Sequence, residues 1–311
     1  MTNVLNILLN RNFILIMAVV LGFAIGDLAT ALKPYTIYIL MVTMLFSMTG
    51  IQAKSLLPLK KVIKPMLRGV FLNYLLFGTV IIFLSWILMP TRELFYGFLV
   101  IAIAPPGVAI IPFAGIMKGD VEYSIIGVMG AFFASVILTP LIIGFFTEGS
   151  GTVSTLDLLV LMIQLIVVPL FLSRLLLWKP VFKWVKAVRG KMVDIGFALI
   201  IFTAVGLNYE VFFTNLKVLF LVLLVLFTAT FGIGSLFEYF RKRSGNSREK
   251  IKTETLLLTI KSSGFSVVTA FTVFGKEAAV PSAVLAVIVL LYLLFLTNRA
   301  ELKQRIFMNR N

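Results

Sequence analysis

The chain has 311 residues, 60 % of them hydrophobic and only 13 % charged, with a mean hydropathy of +1.07 and a net charge of +15. That balance excludes an ordinary soluble domain, which needs far more polar surface. The absence of Cys and His excludes disulfides, thiol nucleophiles, haem ligation and ordinary zinc sites, and removes the usual general base.

Apolar runs near the ~20 residues that span a bilayer recur along the whole length. In chain order they predict ten helices, at 12–31, 35–51, 66–89, 93–117, 120–147, 154–177, 191–208, 215–239, 253–274 and 277–297. Residues 1–30 do not read as a secretory signal, because the apolar segment from Phe13 continues past any small-residue cleavage pattern. A β-barrel would show ~10-residue alternating segments instead of continuous apolar ones. The basic residues sit in short loops between spans, so the positive charge speaks for topology and not for nucleic acid. With ten spans, one face holds both termini and most Lys and Arg, while the other holds only Lys33, Arg92, Lys217 and Lys276. The positive-inside rule then puts both termini in the cytoplasm of a multi-pass cell-membrane protein.

Along the chain, "LKKVIKPMLR" (59–68) reads as an interfacial amphipathic turn leading into the third span. The fourth span carries Pro105, Pro106 and Gly107 near its middle, where two adjacent prolines remove two backbone donors and break the helix. Glu122 and Glu277 sit at the starts of the fifth and tenth spans, where a carboxylate suits the helix dipole. "TEGSGTVS" (147–154) is a flexible linker. Gln164 in the sixth span is a candidate for lining a cavity; Asp157 and Asp194 read as interfacial anchors, and Thr203 as a further polar candidate. "RKRSGNSREKIK" (241–252) is a basic cytoplasmic loop suited to anionic lipid. The ninth span breaks at Ser262, Ser263 and Gly264, directly after Lys261. A lysine at membrane depth costs about 2.5–3.5 kcal/mol on insertion scales, and its distance from Thr253 makes snorkelling to the cytoplasmic surface a long reach.

An internal repeat is visible. "GIQAKSLLPLKKV" (50–62) aligns with "GLNYEVFFTNLKV" (206–218), and "APPG" (104–107) with "KSSG" (261–264), "KGD" (118–120) with "GKE" (275–277). A five-span unit has an odd number of crossings, so its two copies, 1–148 and 153–297, lie in opposite orientation. Paired helix breaks in inverted repeats mark a midplane binding site. The second half-helices begin near Val108 and Phe265, and their N-termini suit an anion. Pro106, Gly107, Val108, Lys261, Ser262, Ser263, Gly264 and Gln164 are therefore the candidate substrate-binding residues.

"APPGVAIIPFAGIMKGDVEYS", "SVILTPLI" (135–142) and "SSGFS" (262–266) resemble the bile acid:sodium symporter family. The resemblance implies an all-α protein of ten helices whose broken fourth and ninth members cross. It implies a core domain from 66–147 and 215–297, a panel domain from 12–51 and 154–208, and sodium-coupled uptake of organic anions by alternating access. It also places Asn73 and Ser124 at ion-coupling positions. The family's remaining sodium ligands fall at Ile110, Ile111, Val128 and Leu257, and a family Gln falls at Lys261. Sodium needs several oxygen ligands; aliphatic side chains offer none, and a lysine repels the ion.

The expected function is a secondary transporter of a small organic anion, a carboxylate, that works without sodium because Lys261 replaces the coupling cation. Coupling to a proton, to another anion or to nothing stays open. The alternatives are a conventional sodium-coupled symporter, a membrane-embedded enzyme or a non-transporting subunit. An enzyme needs a metal cluster or an acid/base pair, and no such motif is visible. The expected partners are the anion and the lipid bilayer, with no cofactor, metal or nucleic acid.

Overall fold

The computed structural model describes residues 11–51, 59–147, 154–209 and 215–308, leaving out the side chains of 11, 12, 59, 60 and 300–308. Among them the elements are helical, with no strand. They are α1 (Arg11–Ala24), α2 (Asp27–Leu32), α3 (Thr36–Met48), α4 (Leu59–Val70), α5 (Thr79–Leu88), α6 (Arg92–Ile103), α7 (Ile110–Ile116) and α8 (Val121–Thr147). There follow α9 (Thr155–Met162), α10 (Val168–Leu175), α11 (Lys179–Leu207), α12 (Leu216–Phe227), α13 (Ile233–Arg243), α14 (Arg248–Thr259), α15 (Ser263–Phe274) and α16 (Val280–Met308). Seven helices among the described residues are long and apolar enough to cross a membrane, and Phe13–Ala24 and Ser263–Phe274 are shorter apolar helices. The linker at 148–153, and parts of the 50–62 and 206–218 repeat pair, lie outside the described residues.

Short polar residues start several helices. Thr91 Oγ1 accepts from Leu94 N–H at the head of α6, Asn215 Oδ1 from Val218 N–H at α12, and Ser247 Oγ from Lys250 N–H at α14. These acceptors satisfy donors that the first turn leaves unpaired. Among the described residues, three spans contain a π turn. Phe71–Gly78 joins α4 to α5, Ile163–Val167 joins α9 to α10, and Thr228–Gly232 joins α12 to α13. The first and third begin 157 residues apart, the same offset that aligns "APPG" with "KSSG".

Some boundaries differ from those read in the sequence. The first apolar stretch divides at Ile25–Gly26, and Asp27–Met48 is long enough to count as one span. Gly26 packs on the Gly206 carbonyl, where an added Cβ would lie 2.9 Å from the oxygen. The 59–68 stretch is a helix that contains Pro65 and runs on into its span. The loop expected at 241–252 is mostly helix, ending α13 and beginning α14 around a short turn.

The helices pack in two groups. In one, α11 lies across α1, α2 and α3, with α10 beside α3. In the other, α4 packs on α8, α5 on α6, α14 on α8 and α13, and α15 on α6 and α16. The groups meet where α11 touches α15 and α16, and where α9 lies along α8.

Candidate functional site

The helix starting at Arg92 stops at Ala104, whose backbone turns extended ahead of the two prolines. The helix starting at Arg248 stops likewise at Ile260. The two unwound segments lie antiparallel: Gly107 N–H donates to Ile260 O at 3.0 Å, and Ser262 N–H to Pro105 O at 3.0 Å, bridging Pro106 and Lys261. Each break thus supplies partners for the other, as buried backbone groups require.

Lys261 is 1 % exposed. Its Nζ donates to Ala102 O and Ala104 O, both at 2.8 Å, and to Asn73 O at 3.1 Å. Two of these carbonyls belong to the C-terminal end of α6, where the helix dipole is negative and carbonyls lack helical partners. Thr139 Oγ1 donates to Ile103 O at 3.3 Å and Asn73 Nδ2 to Ala104 O at 3.1 Å, completing the same set. The rings of Tyr74 and Phe77 present their faces to the ammonium at 5.0 and 5.4 Å. All three ammonium donors therefore have acceptors, and no ion pair to Lys261 occurs among the described residues.

Beside the crossing lies a cavity of about 50 Å³. Gly107, Val108, Lys261, Ser262 and Ser263 form one wall, and Leu15, Phe197, Ile201, Leu290 and Leu293 contribute apolar walls. Ser262 precedes the first turn of α15 without capping it, and its buried Oγ has no partner among the described residues. Gly264 sets how closely the two helix groups approach. A Cβ there would lie 2.8 Å from the Phe197 ring. Gly264→Leu is expected to cost about 1–3 kcal/mol by overpacking, and Phe197→Ala in the same chain should recover most of it. A thermal melt of the single and double variants checks this; no recovery would show that the contact is not the cause.

A family model described as the Sodium Bile acid symporter family matches residues 36–215, more than half of the chain. The chain belongs to that family. Members are transporters, and the fold is that of a multi-pass membrane protein. No curated protein matches the chain.

The positions that the sequence resemblance assigned to sodium ligation lie as follows. Ile110, Val128 and Leu257 are buried among apolar side chains, and Ile111 is half-buried against them. Leu257 fills the notch at Gly127, where an added Cβ would meet its Cδ1 at 2.6 Å. Ser124 is buried with its Oγ bonded to Val121 O within its own helix, at 2.6 Å. Asn73 meets Lys261 through its backbone oxygen, while its Oδ1 has no partner among the described residues. Gln164 lies exposed on its π turn and does not line the cavity. Thr203 bonds within its helix, Asp157 and Glu122 are exposed, and Glu277 accepts from Thr91 Oγ1 at 2.9 Å. Sequence reasoning missed Ala102 and Ala104, which act through backbone oxygens that every residue has. It also missed Tyr74 and Phe77, which look like ordinary apolar positions.

Proposed function

We propose that this chain is a secondary transporter that carries a small organic anion, a carboxylate, by alternating access and without sodium. Lys261 serves as a tethered cation in place of the coupling ion. The observation that carries the reading is the seating of the Lys261 ammonium in three backbone carbonyls at the crossing of the two broken helices. A bound cation would sit in such a seat, and an ammonium fills it permanently. The residues present do not fit sodium: the positions that would supply oxygen are Ile110, Ile111, Val128 and Leu257.

In this reading ten helices form two inverted repeats, 1–148 and 153–297. A core (66–147 and 215–297) moves against a panel (12–51 and 154–208), and both termini are cytoplasmic. The matched breaks and the matched π turns support the repeat. The substrate lies in the cavity between Ser262, Ser263, Gly107 and Val108 on one side and Leu15, Phe197 and Ile201 on the other. The polar wall at the start of α15 receives the carboxylate, and the apolar wall receives its hydrocarbon.

The test is thermal stabilisation of the purified protein by straight-chain monocarboxylates from acetate to octanoate, in sodium and in potassium. Ligand that binds only the folded state raises the melting temperature. At least one carboxylate is expected to stabilise, equally in both salts, with no shift from sodium alone. Stabilisation by sodium itself would restore the conventional symporter. Silence from every carboxylate would overturn the anion site.

A further inference from the structure

We propose that the carried anion is the counter-ion of Lys261, so that the site is matched to a single negative charge; this rests on the transporter reading above. The surroundings of the nitrogen suit an ammonium. Three donors point at three carbonyls, which an ammonium can do. A neutral amine has two N–H groups and would turn its lone pair against the third oxygen. Among the described residues, this charge is surrounded by dipoles and ring faces only. Glu254, two turns earlier on the same strand of chain, is occupied elsewhere: it pairs with Arg241 at 2.8 Å and Arg68 at 3.5 Å, and accepts from Tyr123 O–H at 3.0 Å.

A buried charge without an opposite charge is costly, and more so at membrane depth. An anion in the adjoining cavity would relieve that cost. Lys261 itself lines the cavity beside Ser262 and Ser263, and the Ser262 hydroxyl stands buried at the positive end of α15 without a partner among the described residues. The remaining walls are apolar, with no second Lys or Arg among the lining residues. One negative charge is balanced there. A second would face Leu15, Phe197 or Leu290, and a neutral molecule would leave the ammonium uncompensated. The loaded site is therefore neutral and the empty one carries a single positive charge.

The test takes the monocarboxylate that stabilises most in the series above and compares it with its primary amide and with the dicarboxylate of the same chain length. Wild type should require about tenfold more of either analogue for the same shift in melting temperature. In Lys261→Gln, which keeps two N–H groups for the carbonyls and removes the charge, the acid and amide should become nearly equivalent. The inference is overturned if the dicarboxylate matches the monocarboxylate in wild type, or if Lys261→Gln keeps the preference for the acid. Should that variant fail to fold, the wild-type charge series decides alone. Failure of every monocarboxylate sinks the parent reading, whereas binding that ignores charge sinks only this one.

Discussion

Lys261→Ala is expected to lower the unfolding free energy by about 3–5 kcal/mol, a loss of ~10 °C in melting temperature. Three effects compete. Truncating a fully buried long side chain leaves a cavity, which costs about 2–5 kcal/mol in cores. The carbonyls of Ala102 and Asn73 lose their side-chain donor, while Ala104 O keeps Asn73 Nδ2; an unsatisfied buried polar group costs about 1–3 kcal/mol. Against these stands relief from burying a cation, about 2.5–3.5 kcal/mol on insertion scales. Packing and hydrogen bonds win. Lys261→Met separates the terms, since it keeps the volume and removes the charge, and it should melt between wild type and Lys261→Ala. A Lys261→Met protein more stable than wild type would show that the ammonium is a net cost to the fold, kept for function alone.

How much of this was legible in the sequence follows the range of each interaction. The two breaks were legible because proline pairs and Ser-Ser-Gly act on their own backbone, wherever the rest of the chain lies. A charged residue beside a break, in an apolar run, could be located by the same local logic. What receives it could not. The acceptors are backbone oxygens chosen by the crossing of α6 with the start of α15 and by the π turn around Asn73. Gln164 shows the same limit from the other side: a polar residue in an apolar span stands out, yet its own helix does not say which face meets the cavity. The first span division failed for a tertiary reason too, the close approach of Gly26 to Gly206. Glu254 owes its place to the same kind of tertiary setting: Ser247 caps a helix that begins at Arg248, and that helix carries Glu254 into the interior, where groups from other helices meet it.

Glu254→Ala is the second change expected to weaken the fold severely, by about 2–4 kcal/mol. The carboxylate is 1 % exposed and holds three groups from three other helices: Arg241 of α13, Tyr123 of α8 and Arg68 of α4. Its Oε2 takes both Nη2 and Nε of Arg241, at 2.8 and 2.9 Å. Removing one partner of a buried ion pair costs about 3–5 kcal/mol, because the remaining charge is stranded. The figure here is lower because the Arg68 and Arg241 side chains are 31 % and 21 % exposed, so both can turn partly to water. Glu254→Gln, which keeps the volume and an acceptor for Tyr123, should lose about half as much. Coupling is the sharper measurement. In a double-mutant cycle, Glu254→Gln with Arg241→Met should fall short of the sum of the single losses by about 1–3 kcal/mol. Additive losses would mean that α13 and α14 are held by their apolar contacts and that the carboxylate merely sits between them. Strong coupling would mean that the four helices are clamped electrostatically at one end. Of these helices, α4 leads into the π turn that carries Asn73 and α14 into the break at Lys261, so a clamp there also bears on the geometry of the Lys261 seat.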